Sequence, residues 1–389
     1  MRQRTSAKSR LFTESVIREM TRLANRFGAV NLAQGFPDFP APEEMKRAAC
    51  EAIERDVNQY AITWGAKSLR DAIAERTRAY NGIACDPETD VTVTCGATEA
   101  MAVAMLACVD PDEEVVVFEP FYENYGPDGI LAGARPRFVR LRPPDFDLDV
   151  DELSAAFGPK TKAIVVNTPN NPTGKVFRRE ELERIAELCV RHDCLAFTDE
   201  IYEYILFDGA RHVSLATLPG MAERTITISG LSKTWSATGW RIGWMVAPAE
   251  LTGALRKVHD FLTVGAPAPL QEAAAVALRF GPDYFRELAS RYEARRDLLL
   301  GLLADTPFRV YLPRGAYYAM ADFSAFGADG DDTQFARALV ERPGVAVVPG
   351  SSFFARPEDG RHLVRFCFSK RDETLREAGR RLQSMRPSR

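Results

Sequence analysis

The chain is poor in the residues that build metal centres and disulfide frameworks. Its 389 residues include only 4 histidines and 7 cysteines, and no two cysteines form a Cys-x-x-Cys pair. The one metal-like spacing is Cys189, His192 and Cys194, and no second pair of ligands accompanies it. Cysteines without such spacing are typical of reduced, small apolar side chains in a core. We therefore expect no metal site.

The sequence also lacks long apolar runs and an excess of charge of one sign. No segment approaches the roughly 20 apolar residues that span a bilayer, and residues 1–20 are polar, unlike a secretory signal peptide. Lys plus Arg number 50 against 54 for Asp plus Glu, a net charge of −4, whereas nucleic-acid-binding chains usually carry a basic excess. The composition favours a cytoplasmic protein with neither membrane nor nucleic acid as partner.

What the sequence does contain is a series of short apolar runs, separated by turn residues and helical patterns. Five runs are typical of buried parallel strands: Val115–Phe118, Ala163–Asn167, Leu195–Thr198, Thr225–Ser229 and Gly243–Val246. Between the second and the third, Leu182, Ile185 and Cys189 share one face of a predicted helix over 178–193. Ala97–Val109 is apolar on nearly all sides and predicts a helix inside the molecule. These patterns indicate an α/β domain.

The pattern changes after about residue 280. A long helical stretch over Asp283–Asp305 is followed by short strand-like pieces and by an amphipathic helix over Glu373–Met385. The strand-like pieces are Arg309–Leu312, Tyr317–Asp322, Val345–Val348 and Leu363–Phe368. We predict a large α/β domain over 46–280, a smaller α+β domain over 281–389, and an N-terminal segment, 1–45, that packs with the smaller domain.

One lysine directly follows a predicted strand. Lys233 lies in Ser229-Gly-Leu-Ser-Lys-Thr-Trp, outside the carboxyl end of a strand, where open α/β sheets bind their ligands. An amine flanked by small and hydroxyl residues suits Schiff-base chemistry, because partial desolvation lowers its pKa. Arg241, a short way along the chain, suits a phosphate group. Spacing alone leaves a second interpretation open, a solvated lysine in a surface turn.

The segment from Ser229 to Trp244 resembles the lysine motif of the class I and II aminotransferases, which depend on pyridoxal 5′-phosphate. The resemblance extends from Asn31 to about Leu382. The stretches Val30-Asn-Leu-Ala-Gln-Gly-Phe-Pro-Asp-Phe-Pro40 and Asp208–Met221 are similar to the group of kynurenine aminotransferase, glutamine transaminase K and methionine aminotransferase. The resemblance implies fold type I: a large domain with a mostly parallel sheet between helices, plus a smaller α+β domain.

The resemblance implies a role for each matching residue around the cofactor ring. Lys233 would hold the cofactor as a Schiff base and move a proton between substrate and cofactor. Asp199 would pair with the pyridine nitrogen. Tyr202 and Asn171 would donate to the phenolic oxygen, and Tyr122 would stack on the ring. By spacing alone, Asp199 is equally suited to cap a helix.

A second set of residues would hold the phosphate. Cys95-Gly-Ala97-Thr98 places small residues between a strand and a buried helix, where free amides and the positive helix end face an anion. The resemblance adds Arg241, Ser232 and, from the neighbouring subunit, Tyr60, and so implies a homodimer with shared active sites. The family often has serine at the position of Gly230, so another hydroxyl would have to replace it.

The substrate side of the site is implied in the same way. Arg365 lies in the apolar run Val364–Phe368, where an unpaired charge is costly. It would grip the α-carboxylate with two hydrogen bonds, in a region shared with Gly35, Asn167 and Asn171. A buried structural ion pair is the alternative for Arg365. The run Thr-Gly-Lys that ends at residue 175 is similar to a nucleotide loop but lacks its spacing.

These residues imply an enzyme that moves the amino group of an L-amino acid to a 2-oxo acid. Aromatic residues expected near the mouth favour aromatic or large neutral donors such as kynurenine, phenylalanine, methionine or glutamine; they are Phe12, Phe36, Trp64 and Phe353. The stretch Thr263–Pro269 lacks an aromatic pair that some relatives carry there. The alternative with the same cofactor and lysine is a cysteine-conjugate carbon–sulfur β-lyase, which the sequence does not separate from a transaminase.

Overall fold

The computed structural model describes residues 4–327 and 331–385. Residues 1–3 of the predicted N-terminal segment, and residues 328–330 and 386–389 of the predicted smaller domain, lie outside the described residues. Within it are twelve α-helices: α1 (Val16–Phe27), α2 (Glu43–Glu54), α3 (Lys67–Tyr80), α4 (Ala97–Cys108), α5 (Tyr125–Ala132), α6 (Val150–Ala156), α7 (Arg179–His192), α8 (Ala249–Thr263), α9 (Ala268–Leu278), α10 (Pro282–Leu303), α11 (Asp332–Glu341) and α12 (Asp372–Gln383).

The same residues form fourteen strands: β1 (Val30–Asn31), β2 (Val91–Thr94), β3 (Glu114–Glu119), β4 (Arg135–Arg142), β5 (Asp147–Leu148), β6 (Thr161–Asn167), β7 (Leu195–Asp199), β8 (Thr225–Gly230), β9 (Gly243–Val246), β10 (Arg309–Val310), β11 (Tyr318–Asp322), β12 (Val345–Ala346), β13 (Val348–Pro349) and β14 (Leu363–Cys367). Each predicted strand coincides with one or two of these. The long helices predicted near 97, 178, 283 and 373 are also present.

The central sheet has eight strands in the order β2-β9-β8-β7-β6-β3-β4-β5. Strands β4, β3, β6, β7 and β8 pair in parallel. Strand β9 is antiparallel to both β2 and β8, so the prediction of a parallel strand at Gly243–Val246 is wrong. The reason lies in the connection from β8, which contains turns and a short 3₁₀ helix but no α-helix to carry the chain back along a face of the sheet.

Helices cover both faces of this sheet. Alternate residues of β3 point to opposite sides: Val116 packs in one core with Leu182 and Ile185 of α7, and Val115 packs in another with apolar residues of α4 such as Met101. Strands buried on both faces carry continuous apolar runs, which is why they are visible in the sequence. Packing on both faces therefore holds the strands, and with them their ends, in place. In the described residues, no helix has the length and apolarity to cross a membrane.

A smaller antiparallel sheet forms from the C-terminal part, in the order β10-β11-β14-β13. The single strand predicted over Val345–Val348 is wrong, because its two halves have different partners. Val345–Ala346 (β12) pairs in parallel with β1 of the N-terminal segment, whereas Val348–Pro349 (β13) pairs with β14. The β1–β12 pairing ties the N-terminal segment to the C-terminal part, close to the strand that carries Arg365.

Candidate active site

The carboxyl edge of the central sheet collects residues from several strands. Asn167 ends β6 and Asp199 ends β7, directly opposite each other in the register of the pair. Lys233 follows β8, and Arg241 precedes β9, whose antiparallel direction places its start at the same edge. The turn Cys95–Gly96 follows β2. Residues far apart in the sequence thus meet because parallel strands all end on one side.

Lys233 is half-buried at this edge. Its Nζ lies 3.4 Å from the Gly35 carbonyl oxygen and 5.9 Å from the ring centres of Tyr202 and Tyr317. Desolvation by the surrounding protein lowers the pKa of this amine to about 8. A lysine in this setting is a much better nucleophile at neutral pH than an exposed one, so the solvated surface lysine does not fit.

Asp199 is buried beside it and is held on both carboxylate oxygens. Tyr125 donates its hydroxyl to Oδ2 at 2.8 Å, and the Ile201 amide donates to Oδ1 at 3.4 Å. Burial raises the pKa of this carboxyl group. The residues that follow are turns, so Asp199 does not cap a helix. Tyr125 was not found from the sequence; the signal was its place three residues after Tyr122, at the first position of α5.

The segment after β7 is anchored on its far side by buried polar groups. Glu200 accepts from the Ser214 hydroxyl at 2.8 Å and lies 2.7 Å from His212 Nε2. Glu203 accepts from Asn81 Nδ2 at 2.6 Å and from another hydroxyl, on β8. Two carboxylates on one side of the segment therefore fix the backbone that presents Asp199 and Tyr202 on the other.

Arg365 is fully buried in β14, and no acidic residue in the described part of the chain pairs with it. Its Nη1 donates to Asn171 Oδ1 at 2.7 Å, its Nη2 donates to the Ala33 carbonyl at 2.7 Å, and among the described residues its Nε has no partner. The guanidinium also lies 4.2 Å from the ring centre of Tyr318. All its contacts with described residues are neutral, so Arg365 does not form the structural ion pair within them. A buried cation with a free N–H is suited to an anionic ligand.

The two asparagines connect this cation to the sheet edge. Asn167 donates Nδ2 to the Asp199 carbonyl at 2.8 Å and accepts the Asn171 amide on Oδ1 at 2.7 Å. Asn171 accepts a hydrogen bond from Arg365 on Oδ1, which leaves Nδ2 as its donor toward a ligand. Beside them, the hydroxyls of Tyr202 and Tyr318 lie 3.2 Å apart.

The segment Ala33–Phe36 lies over these side chains and is held through its carbonyl oxygens. Tyr317 donates its hydroxyl to Gly35 O at 2.9 Å, and Lys370 donates to Phe36 O at 2.7 Å. A Cβ on Gly35 would lie 1.7 Å from the Tyr318 hydroxyl, so only glycine fits there. The sequence analysis also missed Tyr317, Tyr318 and Lys370. The signal was the tyrosine pair at the start of β11 and the lysine that follows β14.

The turn between β2 and α4, Cys95–Ala97, lies beside Arg241 and has the features of an anion-binding turn. Gly96 has a φ of +86°, and a Cβ on it would lie 2.2 Å from Arg241 Nη2, so glycine lets the guanidinium approach the start of α4. The first amides of that helix, at Ala97 and Thr98, have no acceptor within the helix. Ser232 is buried, while Thr98 is exposed. These groups suit a phosphate.

Position 230 requires glycine for a steric reason. A Cβ there would lie 2.9 Å from the Ile242 carbonyl oxygen and 3.1 Å from Gly243 Cα, because β8 and β9 approach closely at this pair. A serine would have to push the two strands apart. The hydroxyl that the family often has here is therefore not compatible with this backbone. The adjacent Ser229 hydroxyl donates to Glu203, and Ser232 is the next buried hydroxyl along the chain.

Not every predicted residue joins the site. Tyr60 is 86% exposed, so the site of its own chain does not hold its ring. Tyr122 is half-buried and packs edge-on against Tyr125 at 5.8 Å. Among the residues expected at the mouth, Phe353 is fully buried, 5.0 Å from the Arg365 guanidinium, while Phe36 is 36% exposed. Phe12 and Trp64 are half-buried.

Comparison with known proteins agrees with this geometry. Residues 28–382 match the family described as aminotransferase class I and II. The chain is 45% identical to a probable N-succinyldiaminopimelate aminotransferase of Mycobacterium tuberculosis, over 97% of this chain and 98% of that protein. It is 38% identical to kynurenine–oxoglutarate transaminase 1 of Mus musculus, over 94% of each, and 35% identical to methionine aminotransferase of Escherichia coli, over 95% and 96%.

A solved structure gives the same result. The N-succinyldiaminopimelate aminotransferase from Mycobacterium tuberculosis superimposes with a TM-score of 0.95 at 46% identity, covering 97% of this chain and 99% of that one. The chain belongs to the class I and II aminotransferases, enzymes of fold type I that depend on pyridoxal 5′-phosphate.

Proposed function

We propose that this aminotransferase takes its amino group from L-amino acids with large neutral or aromatic side chains and passes it to a 2-oxo acid. The observation that carries the proposal is Arg365, a buried guanidinium with neutral partners and a free Nε. It shares its surroundings with Lys233: Tyr318 lies against Arg365, and its hydroxyl contacts Tyr202 beside the amine. A carboxylate bound to Arg365 brings the α-carbon of an amino acid toward that amine.

The residues at the edge fit the cofactor. Bound pyridoxal 5′-phosphate supplies an electron sink next to the substrate's α-carbon. Asp199 would hold a proton on the ring nitrogen, and the resulting positive charge offsets the burial that raises the pKa of this carboxyl group. Asn171 Nδ2 and the Tyr202 hydroxyl would donate to the phenolic oxygen. Tyr122 would lie against the ring.

Lys233 would both bind the aldehyde carbon and move the proton of the substrate. Its amine has a pKa of about 8 because it is desolvated. Near neutral pH such an amine can accept a proton from the substrate's α-carbon. It would then donate that proton to the cofactor carbon that carries the aldehyde. Arg365, with Gly35, Asn167 and Asn171 around it, would hold the carboxylate so that the Cα–H bond points at Nζ.

The phosphate would be bound by the Ala97 and Thr98 amides, Arg241 and the buried Ser232. We propose that Tyr60 completes this site in a second copy of the chain, because its ring is 86% exposed. The test mixes an inactive Lys233→Ala protein with an impaired Tyr60→Phe protein under subunit exchange. A shared site predicts that activity exceeds the mean of the two parents, since one site of each heterodimer is intact. Activity that stays at the mean contradicts the shared site.

The side-chain preference rests on the aromatic residues at the mouth, of which Phe36 is partly exposed and Phe353 lies under Arg365. N-succinyldiaminopimelate is a second candidate donor. The observation that favours it is the 45% identity to a relative that bears this name. Both candidates share an α-amino acid end for Arg365 and differ in the group at the far end of a long side chain.

A panel of amino donors with 2-oxoglutarate separates these candidates. The panel contains kynurenine, phenylalanine, methionine, glutamine, aspartate and N-succinyl-diaminopimelate, and kcat/KM is measured for each. We expect the highest values among the large neutral and aromatic donors. A clear preference for the succinylated donor selects the second candidate, and a preference for aspartate contradicts both. Release of pyruvate and ammonia from a cysteine conjugate, without a keto-acid partner, would indicate the β-lyase.

A further inference from the structure

A buried histidine lies behind the anion-binding turn. His259 of α8 is fully buried. Its Nδ1 lies 2.7 Å from Glu99 Oε1, and its Nε2 lies 2.8 Å from the Thr63 carbonyl oxygen. The contact joins α4, α8 and the segment that precedes α3. None of the residues assigned above to the cofactor or substrate takes part in it.

The partners of His259 determine its protonation. A carbonyl oxygen can only accept, so Nε2 carries a hydrogen. Glu99 already accepts from the Thr263 hydroxyl at 2.8 Å and from the Cys95 amide, as an ionised carboxylate does. With Glu99 ionised, Nδ1 also carries a hydrogen, which makes His259 an imidazolium. Against the effect of burial, Glu99 raises the pKa of His259, and the hydrogen bond from His259 lowers the pKa of Glu99.

This ion pair lies at the start of α4, next to the proposed phosphate site. Glu99 is the third residue of α4, the helix whose first amides face the proposed phosphate site. Its carboxylate receives the Cys95 amide and so fixes the turn between β2 and α4. An uncompensated carboxylate in that position would repel a phosphate dianion. The imidazolium of His259 cancels this charge while its other nitrogen holds Thr63, three residues after Tyr60.

We propose that His259 and Glu99 are positioning residues for the cofactor's phosphate: the ion pair shapes the Cys95–Ala97 turn and keeps it electrically neutral. The inference rests on the proposed phosphate site and deepens it. It predicts that loss of the imidazolium alone weakens binding of the phosphate group, whereas loss of both charges together is tolerated. The contribution of the rest of the cofactor to binding should be unchanged.

The test compares two probes on the full chain freed of cofactor, pyridoxal 5′-phosphate and pyridoxal, which lacks the phosphate. Dissociation constants are measured by quenching of tryptophan fluorescence for wild type, His259→Gln, Glu99→Gln and the double variant. His192→Gln, the same substitution in a histidine at the end of α7, is the matched control. We expect His259→Gln to weaken pyridoxal 5′-phosphate by about tenfold or more, with pyridoxal unchanged, and the double variant to recover most of the loss.

Equal losses for the two probes in His259→Gln would overturn the proposal, because they would mean a general distortion of the site. So would a double variant that binds no better than His259→Gln. If His259→Gln does not fold, Glu99→Gln decides: it should bind pyridoxal 5′-phosphate at least as tightly as wild type, and weaker binding contradicts the proposal. A wild-type protein that does not prefer pyridoxal 5′-phosphate over pyridoxal would instead refute the proposed phosphate site itself.

Discussion

Two buried arginines of this molecule have opposite surroundings. The Arg296 side chain, 4% exposed in α10, forms a two-bond fork with Asp208, at 2.5 Å and 3.0 Å, and a further ion pair with Asp297. Arg365 is as deeply buried, yet its contacts are an amide oxygen, a carbonyl oxygen and two aromatic rings. A buried charge that is neutralised within the chain is structural, and one that is not is available to a ligand.

The same contrast applies to the lysines. Lys175 is buried and forms an ion pair with Glu181 at 2.8 Å, which accounts for the lysine of the Thr-Gly-Lys run without any nucleotide. Lys233 has no carboxylate within ion-pair distance in the described part of the chain, and its pKa is lowered to about 8. Substitutions at the unpaired cations should therefore affect function, and substitutions at the paired ones should affect stability.

The largest effect is expected at Lys233. The Lys233→Ala protein should still bind the cofactor without a covalent bond, because Asp199 and the anion-binding turn remain, yet lose about 10³-fold or more of its turnover. In wild type, borohydride should fix the cofactor onto Lys233, as shown by peptide mapping. An adduct on a different lysine would move the active site elsewhere, and a variant that does not fold would make Lys233 structural.

A smaller effect is expected at Arg365. A charge-assisted hydrogen bond is worth about 1.5–3 kcal/mol, or one to two decades in affinity, so Arg365→Ala should raise KM by that factor and also lower kcat through misplacement of the Cα–H bond. Arg365→Lys keeps the charge but not the fork and should fall in between. Cofactor affinity serves as the control. If Arg365→Ala releases the cofactor and leaves KM unchanged, the carboxylate is bound elsewhere.

The opposite outcome is expected at the paired arginine. Arg296→Met removes a buried cation and leaves Asp208, whose side chain is 33% exposed, without its main partner. Since solvent screens part of this pair, we expect a loss of about 1–3 kcal/mol in the free energy of unfolding, measured by urea denaturation. The kinetic constants should stay at wild-type values. A change in KM with unchanged stability would contradict the assignment of Arg296 as a structural residue and Arg365 as a ligand-binding one.

The smallest effect concerns pH. Hydrogen bonds from Arg296 hold the pKa of Asp208 below its usual value. A carboxyl group with a lowered pKa stabilises the fold above its unfolded-state pKa, about 4, and this stabilisation is lost as the pH falls through the lowered pKa. The difference in unfolding free energy between wild type and Asp208→Asn should be constant from about pH 5 to 8 and shrink below about pH 4. A difference that grows in acid would contradict the pairing.

Much of the fold could be predicted because its signals are local. The runs that became β3, β6, β7 and β8 are apolar on both faces, and the helical period of α7 is visible in residues three and four positions apart. The lysine motif and the small residues before α4 are also continuous in sequence. From them follows the placement of Lys233, Asp199 and Asn167 at strand ends, because parallel strands end at one edge.

Local sequence patterns identified the inner strands of the central sheet, the strands of the small sheet and the helices α4, α7, α10 and α12, since backbone geometry and burial set these patterns within a few neighbours. Three further features depend on contacts between distant segments: the direction of β9, the division of Val345–Pro349 between two sheets, and the steric need for Gly230. The same holds for Arg365, 194 residues from Asn171 and 332 from Ala33, with which no described acidic residue pairs. The protonation of His259 also depends on contacts between distant segments, with Glu99 and Thr63. Such properties depend on which groups the folded chain brings within hydrogen-bond distance, and no local pattern encodes that distance.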